Sequence, residues 1–256
     1  MDLGISGKRA LVMGASRGLG RAVAEGLLAE GVTVCGVART AESITAWAGD
    51  QARLTPIAAD LANLASVDAL ADRLLADGGV DILINNSGGP PPGAAATVPR
   101  GDWLVQFEAM AANLFHLTGR LLPPMRASLW GRIITIASSG VEQPIANLAL
   151  SNGIRSAVVG WSKTLAAEVA GDGVTVNIVL PGRIQTTRVD ELDAAAAGRT
   201  GSTLEAVRAA SAAAIPAGRY GRPEEFASMV VYLASQQASY VTGGKLRVDG
   251  GAIRAI

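Results

Sequence analysis

Short β-branched runs alternate with longer stretches of helical spacing along this chain. Arg9–Met13 is apolar from Ala10 onward and stops at Gly14, the pattern of a buried strand. Residues 18–30 carry helical spacing and end at Gly31. Residues 32–37 read as a second strand, and residues 80–84, 132–136, 174–179 and Lys245–Val248 as further ones. Strands separated by helices of ten or more residues predict an α/β fold, with a parallel sheet covered on both faces. No Pro/Gly/Ser-rich linker and no internal repeat divides the chain, so residues 1–256 read as one domain. Two stretches lack regular patterning. Residues 88–93 contain Pro90, Pro91 and Pro92, which resist regular structure. Residues 186–203 are Ala/Gly-rich and weakly patterned, and are expected to be loop-like, a candidate mobile lid.

Composition narrows the functional classes. At 256 residues and 49% hydrophobic content the chain can build a sizeable core. A formal net charge of zero argues against a nucleic-acid-binding surface. The single cysteine, Cys35, cannot form an internal disulfide, which favours a reducing compartment. The N-terminus lacks the apolar run of a signal peptide, and no stretch approaches the roughly 20 apolar residues of a membrane span. The expectation is a soluble, cytoplasmic protein with neither nucleic acid nor membrane as partner. One histidine and one cysteine do not make a metal site.

The chemistry begins at Gly14-Ala15-Ser16-Arg17-Gly18-Leu19-Gly20, directly between the first strand and the first helix. Glycines there permit a tight turn and close backbone approach, and the helix N-terminus favours a pyrophosphate. Gly14, Ser16, Arg17, Gly18, Leu19 and Gly20 are therefore cofactor-binding candidates. An acid after the second strand would accept from adenosine ribose hydroxyls and repel a 2′-phosphate. This chain has Val37-Ala38-Arg39-Thr40 instead. Arg39, with Arg17 as a second cation, predicts NADP(H) over NAD(H).

Further motifs extend the pattern. Asn85-Asn86-Ser87-Gly88 follows the run 80–84, Asn113 lies within Ala112-Asn113-Leu114, and Ser138 follows Ile133-Ile134-Thr135-Ile136-Ala137. Pro181-Gly182-Arg183-Ile184-Gln185-Thr186, Gly221-Arg222-Pro223 and Val248-Asp249-Gly250-Gly251 come later, in order. The Gly-x-x-x-Gly-x-Gly spacing and these motifs resemble the short-chain dehydrogenase/reductase family over nearly the whole chain. Within it the general resemblance is to 3-oxoacyl-(acyl-carrier-protein) reductases and sugar- or steroid-like relatives. The resemblance implies a doubly wound Rossmann fold of about seven parallel strands and activity on a small carbonyl or alcohol. It also implies a homotetramer, with contacts from the helix around residues 157–169 and the apolar region from Met229 onward. By the same resemblance Asp60 and Leu61 hold the adenine, and Asn86 and Gly88 line the cofactor. Pro181, Gly182, Ile184 and Thr186 reach the nicotinamide end. Asn113 and Ser138 are catalytic candidates.

The resemblance breaks at Ser151-Asn152-Gly153-Ile154-Arg155, where the family places Tyr-x-x-x-Lys. The spacing from Ser138 and the helical continuation 157–165 hold the register, and no tyrosine lies between Ser138 and Pro181. A serine hydroxyl is far less acidic than a phenol of pKa about 10, and its side chain is shorter. Arg155 keeps a positive charge able to bind ribose hydroxyls, but a guanidinium cannot shuttle a proton. His116, the only histidine, shares a helix face with Asn113 and reads foremost as a residue packed between helices. A water held by Asn113, Ser138 and Ser151 is the expected proton source. Two functional readings stay open. One is an NADP(H)-dependent oxidoreductase with an altered acid step. The other is a non-catalytic NADP(H)-binding protein, a cofactor sensor or inactive partner subunit.

Overall fold

The β-branched runs form strands, and the glycines that bound them mark the turns. The computed structural model describes residues 1–255. Among these, seven strands pair side by side: β1 (Arg9–Met13), β2 (Thr33–Ala38), β3 (Leu54–Ala58), β4 (Ile82–Asn85), β5 (Gly131–Ile136), β6 (Val174–Pro181) and β7 (Lys245–Val248). Every pairing is parallel, in the order β3-β2-β1-β4-β5-β6-β7. The order reverses between β1 and β4, which makes the switch point where such sheets bind ligands. Six of the strands sit within a residue or two of the runs that predict them, and β3 is the one that no run marked.

The helices are α1 (Gly18–Ala29), α2 (Glu42–Ala48), α3 (Leu64–Ala76), α4 (Arg100–Phe107), α5 (Asn113–Ala127), α6 (Ala149–Val169), α7 (Thr187–Thr200), α8 (Leu204–Ala213) and α9 (Pro223–Leu233). Successive strand side chains point to opposite faces, so each strand feeds two cores. Ala10 and Val12 pack with Val23, Leu27, Phe226 and Val230 beneath α1 and α9. Leu11 and Met13 pack with Leu70, Leu74, Leu117, Leu121 and Leu165 beneath α3, α5 and α6. Each such leucine, fully removed from water, contributes about 1.5–3 kcal/mol. Both faces of the sheet are thus closed, and the loops at the carboxyl ends of the strands are left to carry function. No helix among the described residues is long and apolar enough to cross a membrane.

One expectation fails. Segment 186–203 is not loop-like; most of it is α7. Thr186 caps it, accepting from the Val189 amide at 3.4 Å, and Gly201 closes it with a left-handed φ of +66°. The alanines that looked patternless are strong helix formers. What is missing is an apolar stripe, because α7 is anchored by a polar group. Asp193, fully buried, accepts from Arg183 and, at 2.9 Å, from the Tyr220 hydroxyl. Residues 88–93, in contrast, remain irregular, as their prolines require.

Candidate active site

The loop after β1 is pinned before any ligand arrives. The Ala15 amide donates to Val37 at 2.9 Å, the Trp47 indole to the Ala15 carbonyl at 3.1 Å, and the Asn86 amide to the Met13 carbonyl at 3.1 Å. Gly14 and Gly18 have φ of +66° and +58°, a region that only glycine enters freely. A Cβ on Gly20 would collide with the Gly14 carbonyl and approach Asn86 to 2.8 Å, so α1 packs against its own loop only with glycine there. At the N-cap of α1, Arg17 is extended and makes no side-chain capping bond, and the first turn holds no acid. The first amides of α1 are thus left for an external anion, beside Ser16, Gly18 and Leu19. This arrangement fits a dinucleotide pyrophosphate.

The residues expected on the adenosine side lie beyond β2 and β3. Arg39 is exposed just past β2. Arg17 turns instead to Glu191 of α7, at 3.2 Å, so the second expected cation is engaged across the cleft. Asp60 caps the Ala62 amide at 3.0 Å, and the Leu61 carbonyl accepts from the Asn113 side-chain amide at 2.7 Å. Asn113 itself is buried at the start of α5, directly after a π-helical turn, Glu108–Ala112. Such turns recur at functional sites because they rotate one residue out of helical register. One of the two N–H groups of the Asn113 side chain is committed to Leu61, which leaves the other and the side-chain oxygen to meet a water.

The remaining candidates gather at the carboxyl ends of β4, β5 and β6. Ser138 follows β5 and accepts from the Gly140 amide at 3.1 Å, which leaves its own proton free to donate. Asn152 braces the adjacent loop, donating to the Ile145 carbonyl at 2.9 Å, and its side chain lies against Gly140. The first turn of α6, with Ser151, therefore abuts the Ser138 turn. The Ser151 hydroxyl has no hydrogen-bond partner among the described residues. Arg155, one turn on, donates to the Ile136 carbonyl at 3.0 Å and to the Gly88 carbonyl at 3.2 Å. Desolvation, with like charge on Arg188 adding to it, lowers its guanidinium to about 10. At neutral pH it remains a cation. The proline-rich loop is stitched to the start of α6 by Gly93, which donates to Asn147 at 2.8 Å and accepts from Ala149 at 3.1 Å.

The segment after β6 approaches the C-terminal turn so closely that a Cβ on Gly182 would lie 2.6 Å from the Asp249 Cα. Pro181 and Gly182 are half-buried, Ile184 is buried and pairs with Gly221, and Thr186 begins α7 beside Gly18. His116 stands apart, paired at 2.7 Å with Asp68 across α3 and α5. No group of three metal-ligating side chains occurs among the described residues. The sequence reading missed Arg188 and Glu191, which α7 brings over the cleft. Arg188 left one local signal: a cation in the first turn of a helix opposes the helix dipole.

Comparison with known proteins accords with this geometry. Residues 14–252 match the family described as enoyl-(acyl carrier protein) reductase. The 3-oxoacyl-(acyl-carrier-protein) reductase FabG of Salmonella typhimurium is 36% identical over 253 residues, 97% of this chain and 98% of that protein. L-sorbose reductase from Gluconobacter frateurii, solved with NADPH and L-sorbose, superposes with a TM-score of 0.94 at 33% identity over the full length of both chains. Actinorhodin polyketide ketoreductase with NADPH gives a TM-score of 0.91 at 31% identity, covering 97% of this chain and 98% of that one. The chain belongs to the short-chain dehydrogenase/reductase family of oxidoreductases.

Proposed function

We propose that this protein is an NADP(H)-dependent oxidoreductase that acts on a small carbonyl compound or alcohol. Its frame is like that of the 3-oxoacyl-(acyl-carrier-protein) reductases, and its proton-donating site is altered. Residues 1–256 work as one NADP(H)-binding unit. The observation that carries this reading is a convergence at the switch point. The uncapped start of α1 opens on the same sheet edge as Ser138, Ser151 and Arg155. Gly14, Ser16, Gly18, Leu19 and Gly20 cradle the pyrophosphate. Arg39, with Arg17 once released from Glu191, takes the 2′-phosphate. Asp60 and Leu61 bound the adenine, and Asn86 holds the loop in shape. Gly88, Pro181, Gly182, Ile184 and Thr186 line the nicotinamide end.

Bound NADPH supplies a hydride to the carbonyl carbon. The protein must then deliver a proton to the carbonyl oxygen. Ser138 polarises that oxygen with the hydroxyl proton that its Gly140 contact leaves free. Ser151 stands where the family has tyrosine, and its unpartnered hydroxyl holds the donor water, with an oxygen of Asn113 behind it. Arg155, in the lysine position, orients the nicotinamide ribose and stays charged throughout. One observation favours a second reading, a non-catalytic NADP(H)-binding protein: no described side chain in this cluster combines phenol-like acidity with an open position.

Single-turnover NADPH oxidation against a panel of aldehydes and ketones decides between them. The expected result is slow oxidation by the parent, reduced about ten-fold or more by Ser151→Ala. A parent rate indifferent to Ser151→Ala removes the water-holding role. Tight NADPH binding without any oxidation supports the sensor reading. A gain of roughly 10²–10⁴-fold in the double variant Ser151→Tyr/Arg155→Lys over a silent parent would mark a site that lost the usual donor. In solution we place the protein in the cytoplasm as a homotetramer, joined through α6 and the region from Met229 onward. Phe115 and Trp161 stack at 4.2 Å on the α5–α6 side, half-exposed, and Tyr240 is fully exposed. Light scattering that returns the 26.0 kDa protomer mass at micromolar concentration would exclude this assembly.

A further inference from the structure

Two arginines flank one three-residue stretch of the cleft. Arg155, from α6, donates to the Gly88 carbonyl at 3.2 Å. Arg188, from α7, donates to the Pro90 carbonyl at 3.2 Å, and a Cβ on the intervening Gly89 would lie 3.4 Å from its guanidinium nitrogens. Carbonyls two residues apart are separated by at most roughly 7 Å along the chain, so both cations border the same small space.

Their charges are poorly compensated. No carboxylate among the described residues pairs with Arg155, whose protein partners are backbone carbonyls. Among the described residues the one acid that pairs with Arg188 is Glu191, at 3.5 Å, and Glu191 also pairs with Arg17. Arg188 and Arg17 therefore share one carboxylate, and Arg155 has none. Arg155 uses two of its five N–H donors, which leaves three for a ligand. Like charges held this close favour an anion between them, and a guanidinium fork matches carboxylate and phosphate oxygens bidentately.

The cofactor's own anions have other partners. Its pyrophosphate fits the start of α1, after β1, and its 2′-phosphate fits Arg39, after β2. Gly88–Pro90 follows β4 and Arg188 follows β6, on the other side of the switch point. That side borders the proline-rich loop and the Ser138–Ser151 cluster, where a substrate would lie.

We propose that Arg155 and Arg188 form a receptor for an anionic oxygen group on the substrate, which is thus a carbonyl compound bearing a carboxylate or a phosphate. Arg188 is a specificity-determining residue that contacts this group. The inference rests on the reading of the cleft as a reductase site, but its test does not require turnover.

Calorimetry on the full chain saturated with NADP⁺ supplies that test. The probes are acetoacetate against its methyl ester, and dihydroxyacetone phosphate against dihydroxyacetone. The parent should bind at least one anionic probe about ten-fold or more tightly than its neutral counterpart, as loss of charge-assisted bonds implies. Which pair shows the preference identifies carboxylate or phosphate. Arg188→Gln should abolish the preference, Arg188→Lys should restore part of it, and NADPH affinity should change less than about two-fold in both. Arg188 lies at the surface, so a thermal melt equal to the parent's is expected. The proposal is overturned if neither anionic probe is preferred. It is equally overturned if Arg188→Gln weakens NADPH while the preference persists, which would assign the pair to cofactor phosphates. An anion preference in a protein that oxidises no NADPH would support the receptor and count against the reductase reading alone.

Discussion

Replacing Asp193 with alanine should release α7 from the body of the protein without melting the sheet. The carboxylate is fully buried and accepts from Arg183 and from the Tyr220 hydroxyl, while Arg183 also lies 5.7 Å over the Tyr220 ring. Two hydrogen bonds to a charged group are worth about 3–6 kcal/mol together. Part of that returns on substitution, because the Arg183 side chain is 40% exposed and rehydrates, and because a buried charge no longer has to be desolvated. The net loss should be about 2–3 kcal/mol. It should fall on local opening, since α7 otherwise leans mainly on α8, with the Arg208–Asp190 pair at 2.5 Å, buried Ala197, the exposed Arg17–Glu191 pair and the half-buried Arg188–Pro90 contact as the other ties. Hydrogen exchange reads this directly. Amides of α7 should exchange roughly 30- to 150-fold faster in Asp193→Ala, while those of β4, β5 and β6 keep their parent rates. Asp193→Asn, which keeps one acceptor, should fall between. The reasoning fails if α7 exchange stays within about three-fold of the parent. It also fails if β5 accelerates equally, because α7 would then belong to the cooperative core.

Two further outcomes follow from single charged groups. Arg39→Asp should turn a preference for NADPH into one for NADH, with NADPH affinity reduced about ten-fold or more by the lost charge-assisted contact. Calorimetry that finds equal affinities for the two cofactors in the parent would refute the assignment. Glu225 caps α9 at the Arg222 amide and pairs with Arg219, and the Arg219 hydrogen bonds hold its carboxyl at about 2, below its ordinary 4.5. Because the folded value is the lower one, its contribution is complete above about pH 5 and lost as pH falls toward 2. Glu225→Gln should therefore flatten the acid limb of stability between about pH 5 and pH 2. Denaturant titrations with identical acid limbs in parent and variant would refute it.

What can be read from the chain without its structure depends on how local the physics is. The strands were legible because β1 and β5 bury consecutive side chains on both faces, which forces unbroken apolar runs such as Ala10–Met13. The phosphate loop was legible because Gly14, Gly18 and Gly20 answer a backbone demand within seven residues. Helix α7 was not, because Asp193 does the work an apolar stripe would have done, and its partners lie 10 and 27 residues away in sequence. Nor was the π turn before Asn113, since a one-residue change of helical register leaves no compositional trace. Arg188 shows the limit most clearly. It acts on Pro90 from 98 residues away, and its helix neighbour Glu191 meets Arg17 across 174. No window of sequence contains either pair. Ser151 and Arg155 were conspicuous because a family pattern surrounded them. Arg188 had no pattern to break, yet it is the residue that turns a lone Arg155 into one half of a paired cationic site.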